Sequence, residues 1–166
     1  MGHLLAEDTH VVPLYYPIDL DSLAGAESPV ICLTKNWRHV SILIGIGVNP
    51  LANGVIKVYS CDDTTPTTET AIIFDYYKCE TSSILANGDV LGAKATAVAA
   101  TGIVPTATAV PNFFVIEFDS SALVEGDIGF RLAIADPAAA SVGFAFAILS
   151  DPRYAEDQNV TAMSVI

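Results

Sequence analysis

His39 is the side chain of this sequence whose type best suits acid–base chemistry. It follows Trp37 and Arg38 and directly precedes a run of alternating apolar residues, so it lies where a strand should begin. A general base or metal ligand here would need a second group to orient its ring, and no spacing in the sequence supplies one. We therefore expect His39 to be a partly exposed residue at the start of a strand.

Acidic residues occur in close pairs within turn-forming segments. These pairs are Asp19 and Asp21, Asp62 and Asp63, and Glu125 and Asp127. A calcium ion takes about six or more oxygen ligands from a convergent loop, and none of the pairs lies in an EF-hand pattern. Two carboxylates distant in sequence could converge as in a glycosidase, but nothing distinguishes two of the 19 acidic residues. We expect solvated turn acids, with a weak calcium site as the alternative.

The sequence lacks the short motifs that mark common catalytic and nucleotide sites. It has no GxSxG nucleophile elbow, P-loop, HExxH motif or dinucleotide fingerprint. Its cysteines, Cys32, Cys61 and Cys79, lack the CxxC spacing of a zinc site. Cys32 and Cys61 are expected to be buried free thiols, in a chain made in a reducing cytosol. We therefore predict no catalytic residue, no metal site and no cofactor, and an enzyme is the least favoured class.

The composition predicts one well-packed domain that avoids nucleic acid and membranes. Apolar residues make up 52% of the 166 residues, which is ample for a core. Seven basic and 19 acidic residues give a net charge of −12, whereas phosphate binding needs clustered Lys and Arg. No apolar stretch approaches the roughly 20 residues of a membrane-spanning helix, and no signal peptide pattern opens the chain.

Short runs rich in β-branched and aromatic residues recur along the chain. They cover residues 30–33, 40–44, 55–59, 71–76, 113–118, 128–134 and 142–149. Turn residues separate the runs, and no window keeps a helical period. The pattern predicts an all-β fold, an antiparallel β-sandwich or jelly-roll-like single domain over residues 29–158. Residues 1–28 then form an N-terminal arm or edge segment, and residues 159–166 form a C-terminal tail.

The N-terminal region contains an apolar segment flanked by prolines. Its candidate partner-binding residues are Val12, Leu14, Tyr15, Tyr16 and Pro17. Because proline disfavours a central strand, the segment is either an extended arm that adds a strand to a partner or an edge strand of its own sheet. If the segment is an extended arm, deletion of residues 1–17 would leave the sandwich folded. Residues 90–111, rich in Ala and Thr, are expected to be part strand and part loop.

The segment VGFAFAILSDPRYA at residues 142–155 predicts a closing strand. Its bulky residues, Phe144, Phe146 and Ile148, are spaced two apart and are expected to fill the core, with the small residues Gly143, Ala145 and Ala147 on the other face. Phe146→Asp would then unfold the domain. Arg153 and Tyr154 are expected to anchor the exit of the chain to the sandwich.

Several blocks of the sequence resemble head decoration, or cement, proteins of tailed bacteriophages. The blocks are VICLTKNWRHVSILIGIG, VIKVYSCDD, AIIFDYYK and NFFVIEFDSSALVEGDIGFRLAIADPAAASVGFAFAILSDPRYA, which fall within residues 29–155. The likeness consists of hydrophobic alternation, turn positions and the closing RYA. It implies a small β-rich subunit, commonly a homotrimer, that sits on the outer surface of the head and binds the major capsid protein.

This resemblance adds expectations about location and partners. The protein would be made in the host cytoplasm and would reside on the virion, where it ties capsid subunits together against the pressure of packaged DNA. Arg153 and Tyr154 could then contact the capsid instead of anchoring the chain. The alternatives are a carbohydrate- or receptor-binding β-sandwich module, or another β-rich phage component such as a tail-tube protein.

Overall fold

The fold is an all-β sandwich, as the sequence predicts. A computed structural model describes residues 9–21, 26–33, 37–47, 54–80, 90–105, 110–137 and 139–152. Within these ranges the chain forms two antiparallel sheets that pack face to face, with a 3₁₀ turn at Ser120–Ala122. The alternation of buried and exposed residues along the longer strands places one face of each sheet in a shared core.

The strands fall into a six-stranded and a five-stranded sheet. The six-stranded sheet contains, in spatial order, β1 (His10–Asp19), β11 (Val142–Pro152), β4 (Trp37–Ile46), β9 (Asn112–Asp119), β7 (Phe74–Glu80) and β8 (Ala95–Ala97). The five-stranded sheet contains β2 (Ala26–Glu27), β10 (Gly129–Ile134), β5 (Ile56–Cys61) and β6 (Glu69–Ala71), and β3 (Ile31–Cys32) also pairs with β10.

The pairing brings the two halves of the chain together. β1 pairs with β11, β2 and β3 pair with β10, and β4 pairs with both β9 and β11. In both sheets a late strand therefore lies between early ones, β11 between β1 and β4 and β10 between β2 and β5, which is the order of a jelly roll. β7 and β8 extend the six-stranded sheet at one edge.

Aromatic side chains join the two sheets through the core. Phe118 of β9 meets Phe130 of β10 edge to face, with ring centroids 5.3 Å apart. The buried Tyr15 of β1 donates a hydrogen bond from its hydroxyl to the Leu132 carbonyl oxygen of β10, at 2.6 Å. Burial raises the pKa of Tyr15 well above its ordinary value, so the hydroxyl keeps the proton that it donates.

The N-terminal segment forms β1, an edge strand of the chain's own sheet. Pro13 and Pro17 are tolerated because β1 pairs on one side only, and its register with β11 shifts after Pro13 and again after Tyr15. Of the two sequence-based alternatives, the edge strand is therefore the one that the structure shows.

One predicted strand is two strands in the structure. Residues 71–76 read as a continuous apolar run, but β6 ends at Ala71 in the five-stranded sheet and β7 begins at Phe74 in the six-stranded sheet. The chain crosses between the sheets at residues 72–73, where Ile72 is buried and Ile73 is exposed. The predicted mixture of strand and loop at 90–111 is found in the described part, as β8 and a bridge from Ile103 to β5.

The predicted orientation of the closing strand was wrong. In β11 the small residues Gly143, Ala145 and Ala147 face the core, whereas Phe144 is 38% exposed. The reason is steric, because neighbouring large side chains already fill the space beneath β11. A Cβ atom on Gly143 would lie 2.9 Å from Leu20 Cδ1, closer than Cβ atoms normally come, so the Leu20 side chain would have to move to make room.

Candidate functional site

The outer face of the six-stranded sheet carries a histidine held between two carboxylates. His39 Nδ1 lies 2.7 Å from Asp119 Oδ1, and His39 Nε2 lies 2.6 Å from Glu117 Oε2. Ser41 Oγ donates a further hydrogen bond to Glu117 Oε2 at 2.8 Å. The pairing of β4 with β9 sets this geometry, because His39 lies opposite Asp119 and Ser41 lies opposite Glu117. We call these four residues the His39 cluster.

The electrostatics of the His39 cluster favour a protonated imidazole. Partial burial alone would lower the pKa of His39, but its hydrogen bonds to Asp119 and Glu117 and the charges of both carboxylates raise it above 6.5. In the protonated ring both N–H groups donate to carboxylates. No lone pair then remains to bind a metal ion or to take a proton from a nucleophile.

An open cleft of ≈ 400 Å³ borders the His39 cluster and is also lined by Asp75, Phe74 and Ser121. Asp75 is itself paired, since it accepts hydrogen bonds from Lys94 Nζ at 3.0 Å and from Thr96 Oγ1 at 2.6 Å. Ser41 donates to Glu117 and not to the histidine, so the cluster contains no serine–histidine pair for nucleophilic attack. The His39 cluster therefore links β4 to β9 by hydrogen bonds and places charged groups at the surface of the sheet.

Beside the His39 cluster, the same sheet face is apolar. We define the apolar face by the outward side chains of four adjacent strands: Val11 and Pro13 of β1, Phe144, Phe146 and Ile148 of β11, Leu43 of β4, and Phe113 and Val115 of β9. None of them belongs to the buried core cluster. Val11 is 44% exposed and Phe144 is 38% exposed, while the other six are half-buried among one another.

Two aromatic rings lie at the centre of the apolar face. Phe144 and Phe146 are stacked, with centroids 6.1 Å apart and ring planes inclined by 9°. The Phe144 ring lies over Gly45 of β4, where any Cβ atom would overlap it. The absence of a side chain at Gly45 therefore lets the ring lie across the neighbouring strand and keeps this part of the face flat.

The structure buries some of the predicted partner-binding residues and exposes others. Val12, Leu14 and Tyr15 are buried in the core, so they are not presented to a partner. Tyr16 is 73% exposed and Pro17 is also exposed. Arg153 and Tyr154 lie outside the described residues.

Two of the turn acids accept hydrogen bonds from backbone N–H groups. Asp19 Oδ1 accepts hydrogen bonds from the backbone N–H groups of Asp21 and Ser141, and Asp63 Oδ1 accepts one from that of Thr65. Among the described residues, no group of three or more His, Cys, Asp or Glu side chains is placed to hold a metal ion.

Cys61 is a buried thiol, as predicted, and has low reactivity. Burial, together with the nearby Glu69 carboxylate, raises its pKa to about 12, so the reactive thiolate is scarce at neutral pH. Cys32 and Cys79 are likewise thiols rather than disulfide partners, and Cys32 is half-buried rather than buried as predicted.

Sequence reasoning missed the carboxylates that orient His39. They follow it by 78 and 80 residues, and only the register of β4 against β9 brings them together. Alternation did offer a partial signal, because residues 117 and 119 fall on one face of a strand, as do residues 39 and 41. Which face points outward, and which strands are neighbours, could not be deduced from that signal.

Comparison with known proteins leaves the chain without an assigned family. No family model matches the sequence, and no curated protein matches it. The part of the chain that the structure describes contains no helix with the length and hydrophobicity of a membrane span.

Proposed function

We propose that this protein is a structural virion protein that binds the outer surface of an icosahedral phage head and stabilises it by bridging neighbouring subunits of the major capsid protein. The observation that carries the proposal is the apolar face, a continuous surface of aromatic and aliphatic side chains across four strands. The likeness of residues 29–155 to decoration proteins supplies the class of particle.

The apolar face favours binding over chemistry as the role of this sheet. Contiguous apolar patches beyond a few hundred Å² are uncommon on monomeric proteins and mark interaction sites. The charged groups beside the face, in contrast, satisfy one another, because both ring nitrogens of His39 are engaged by Asp119 and Glu117. A cement protein needs a broad contact surface, and it gains strength from many copies bound to one shell.

Binding to empty heads tests the proposal. The probe is an expanded head assembled from the major capsid protein encoded with this chain, purified without decoration. We expect saturable, stoichiometric binding and a higher temperature of head rupture. Failure to bind heads, combined with retention on a glycan column, would instead support the carbohydrate-binding module.

The proposal includes assembly as a homotrimer. A three-fold arrangement would let each copy contact a different capsid subunit, so that one trimer bridges several neighbours. Sedimentation at micromolar concentration should give the mass of three chains. A stable monomer would contradict a trimer formed in advance but would leave assembly on the head surface to be measured by stoichiometry on the particle.

A further inference from the structure

We infer that the apolar face is the surface that docks on the head, and that its partner is an apolar patch of the capsid protein bordered by Lys and Arg side chains. This inference rests on the proposed function and specifies the contact that the function requires. Three observations carry it: the extent of the face, its central pair of aromatic rings, and the distribution of charge around it.

The extent of the face suits a small contact that is repeated in many copies. Four strands at about 4.8 Å spacing span roughly 19 Å, and the face runs from Phe144 to Ile148 along β11, which is roughly 17 Å. Their product is roughly 320 Å² on this protein, or about 650 Å² counting both partners, which is less than the roughly 1,000 Å² of a specific protein interface. The apolar face alone therefore gives a weak contact, to which the charged border and the repetition of the contact over one shell add strength.

The stacked rings of Phe144 and Phe146 provide a centre for the contact. Aromatic residues in the middle of an interface dominate binding energy when surrounding contacts exclude water from them. Here the neighbouring residues of the face are Ile148 on the same strand and Leu43 and Val115 on the next two strands. A complementary apolar patch would bury the rings completely.

The distribution of charge identifies the border of the partner. The eight side chains of the apolar face are uncharged, and the acidic groups Glu117 and Asp119 stand at one end, with Asp119 67% exposed. The whole chain carries a net charge of −12. A basic border would complement this acidic end and would attract the protein from solution, whereas the same acidic end on a second copy would not.

The test compares substitutions on the face with one matched substitution elsewhere. Val11→Glu places a charge on the apolar face, and Val104→Glu places the same charge at a similarly exposed valine next to Ile103, which bridges to the five-stranded sheet. We expect wild type and Val104→Glu to bind undecorated heads equally. Val11→Glu and Phe146→Glu should each raise the Kd for heads at least tenfold.

The outcomes separate the inference from the proposed function. If wild-type protein does not bind heads, the proposed function fails. If wild type binds and both face variants bind equally well, only the inference is overturned. Thermal melting identifies any variant that misfolds, and Val11→Glu then decides the result if Phe146→Glu melts early. A lower sedimentation mass for Val11→Glu than for Val104→Glu would show that the face joins copies of this chain, which also overturns the inference.

The basic border is tested by reversing charge at two exposed acids. Asp119→Lys acts at the acidic end of the apolar face, and Asp62→Lys makes the same change in net charge at the end of β5 in the other sheet. We expect Asp119→Lys to weaken head binding several times more than Asp62→Lys does. Equal effects of the two variants would contradict a basic border on the partner.

Discussion

At the scale of residues, the His39 cluster shows how a sheet joins groups that are distant in sequence. A protonated His39 satisfies Asp119 and Glu117 together, which offsets the repulsion between two carboxylates on adjacent positions of one strand face. A neutral imidazole has only one N–H group, so one carboxylate would lose its donor. The protonation state of a single ring therefore decides how well β4 and β9 are held at this end.

This coupling predicts a stability that depends on pH. Because the pKa of His39 is higher in the folded protein than its ordinary value of 6.5, the stabilisation is complete below pH 6.5 and is lost as the pH rises through the folded pKa. We expect the difference in melting temperature between wild type and His39→Gln to shrink over the pH range above 6.5. A difference that stays constant over this range would contradict the cluster's role.

At the scale of elements, β11 shows the limit of inference from alternation. The period of two in VGFAFAIL correctly predicts a strand and correctly divides its residues into two faces. The choice between the faces was wrong, because it assumed that bulky residues always point inward. The side chains contributed by other elements, such as Leu20 next to Gly143, determine how much room remains, and one segment of sequence does not contain that information.

The inverted strand leads to a paired prediction. Ala147→Asp would bury a carboxylate without a partner at a position that is 0% exposed, and we expect a loss of about 3 kcal/mol or more in the free energy of unfolding. Phe146→Asp acts on the outer face, where the carboxylate reaches water, and should cost less, about 0.5–1.5 kcal/mol for the lost stacking on Phe144, the reverse of the sequence-based expectation. Urea unfolding of both variants measures the difference, and equal losses would place both side chains in the core.

At the scale of the whole molecule, the sequence predicted the class of fold but not its connections. Strand runs, turns and the lack of helical periods were sufficient for an antiparallel sandwich. The split of residues 71–76 between two sheets could not be foreseen, because the apolar run continues through the crossover. The pairing of β1 with β11 and the position of the apolar face likewise depend on contacts between segments that are distant in sequence.

The N-terminal strand β1 pairs with the last strand, β11, so it is needed to complete the sandwich. Deletion of residues 1–17 would remove Val12, Leu14 and Tyr15 from the core, where each large apolar side chain contributes roughly 1.5–3 kcal/mol. Their sum, roughly 5–9 kcal/mol, is comparable with the whole stability of a typical domain. We therefore expect the truncated protein to unfold or aggregate at 25 °C, in contrast to the folded product that an external arm would leave.

Tyr15→Phe supplies the control for this truncation. It retains the ring in the core and removes only the hydrogen bond to the Leu132 carbonyl oxygen, so we expect a loss of about 1 kcal/mol and a cooperative unfolding transition. Circular dichroism and urea titration of the truncated protein and of Tyr15→Phe show whether each protein is folded and unfolds cooperatively. A truncated protein that unfolds as cooperatively as Tyr15→Phe would mean that the remaining strands close the sandwich without β1, and that residues 1–17 are available to a partner after all.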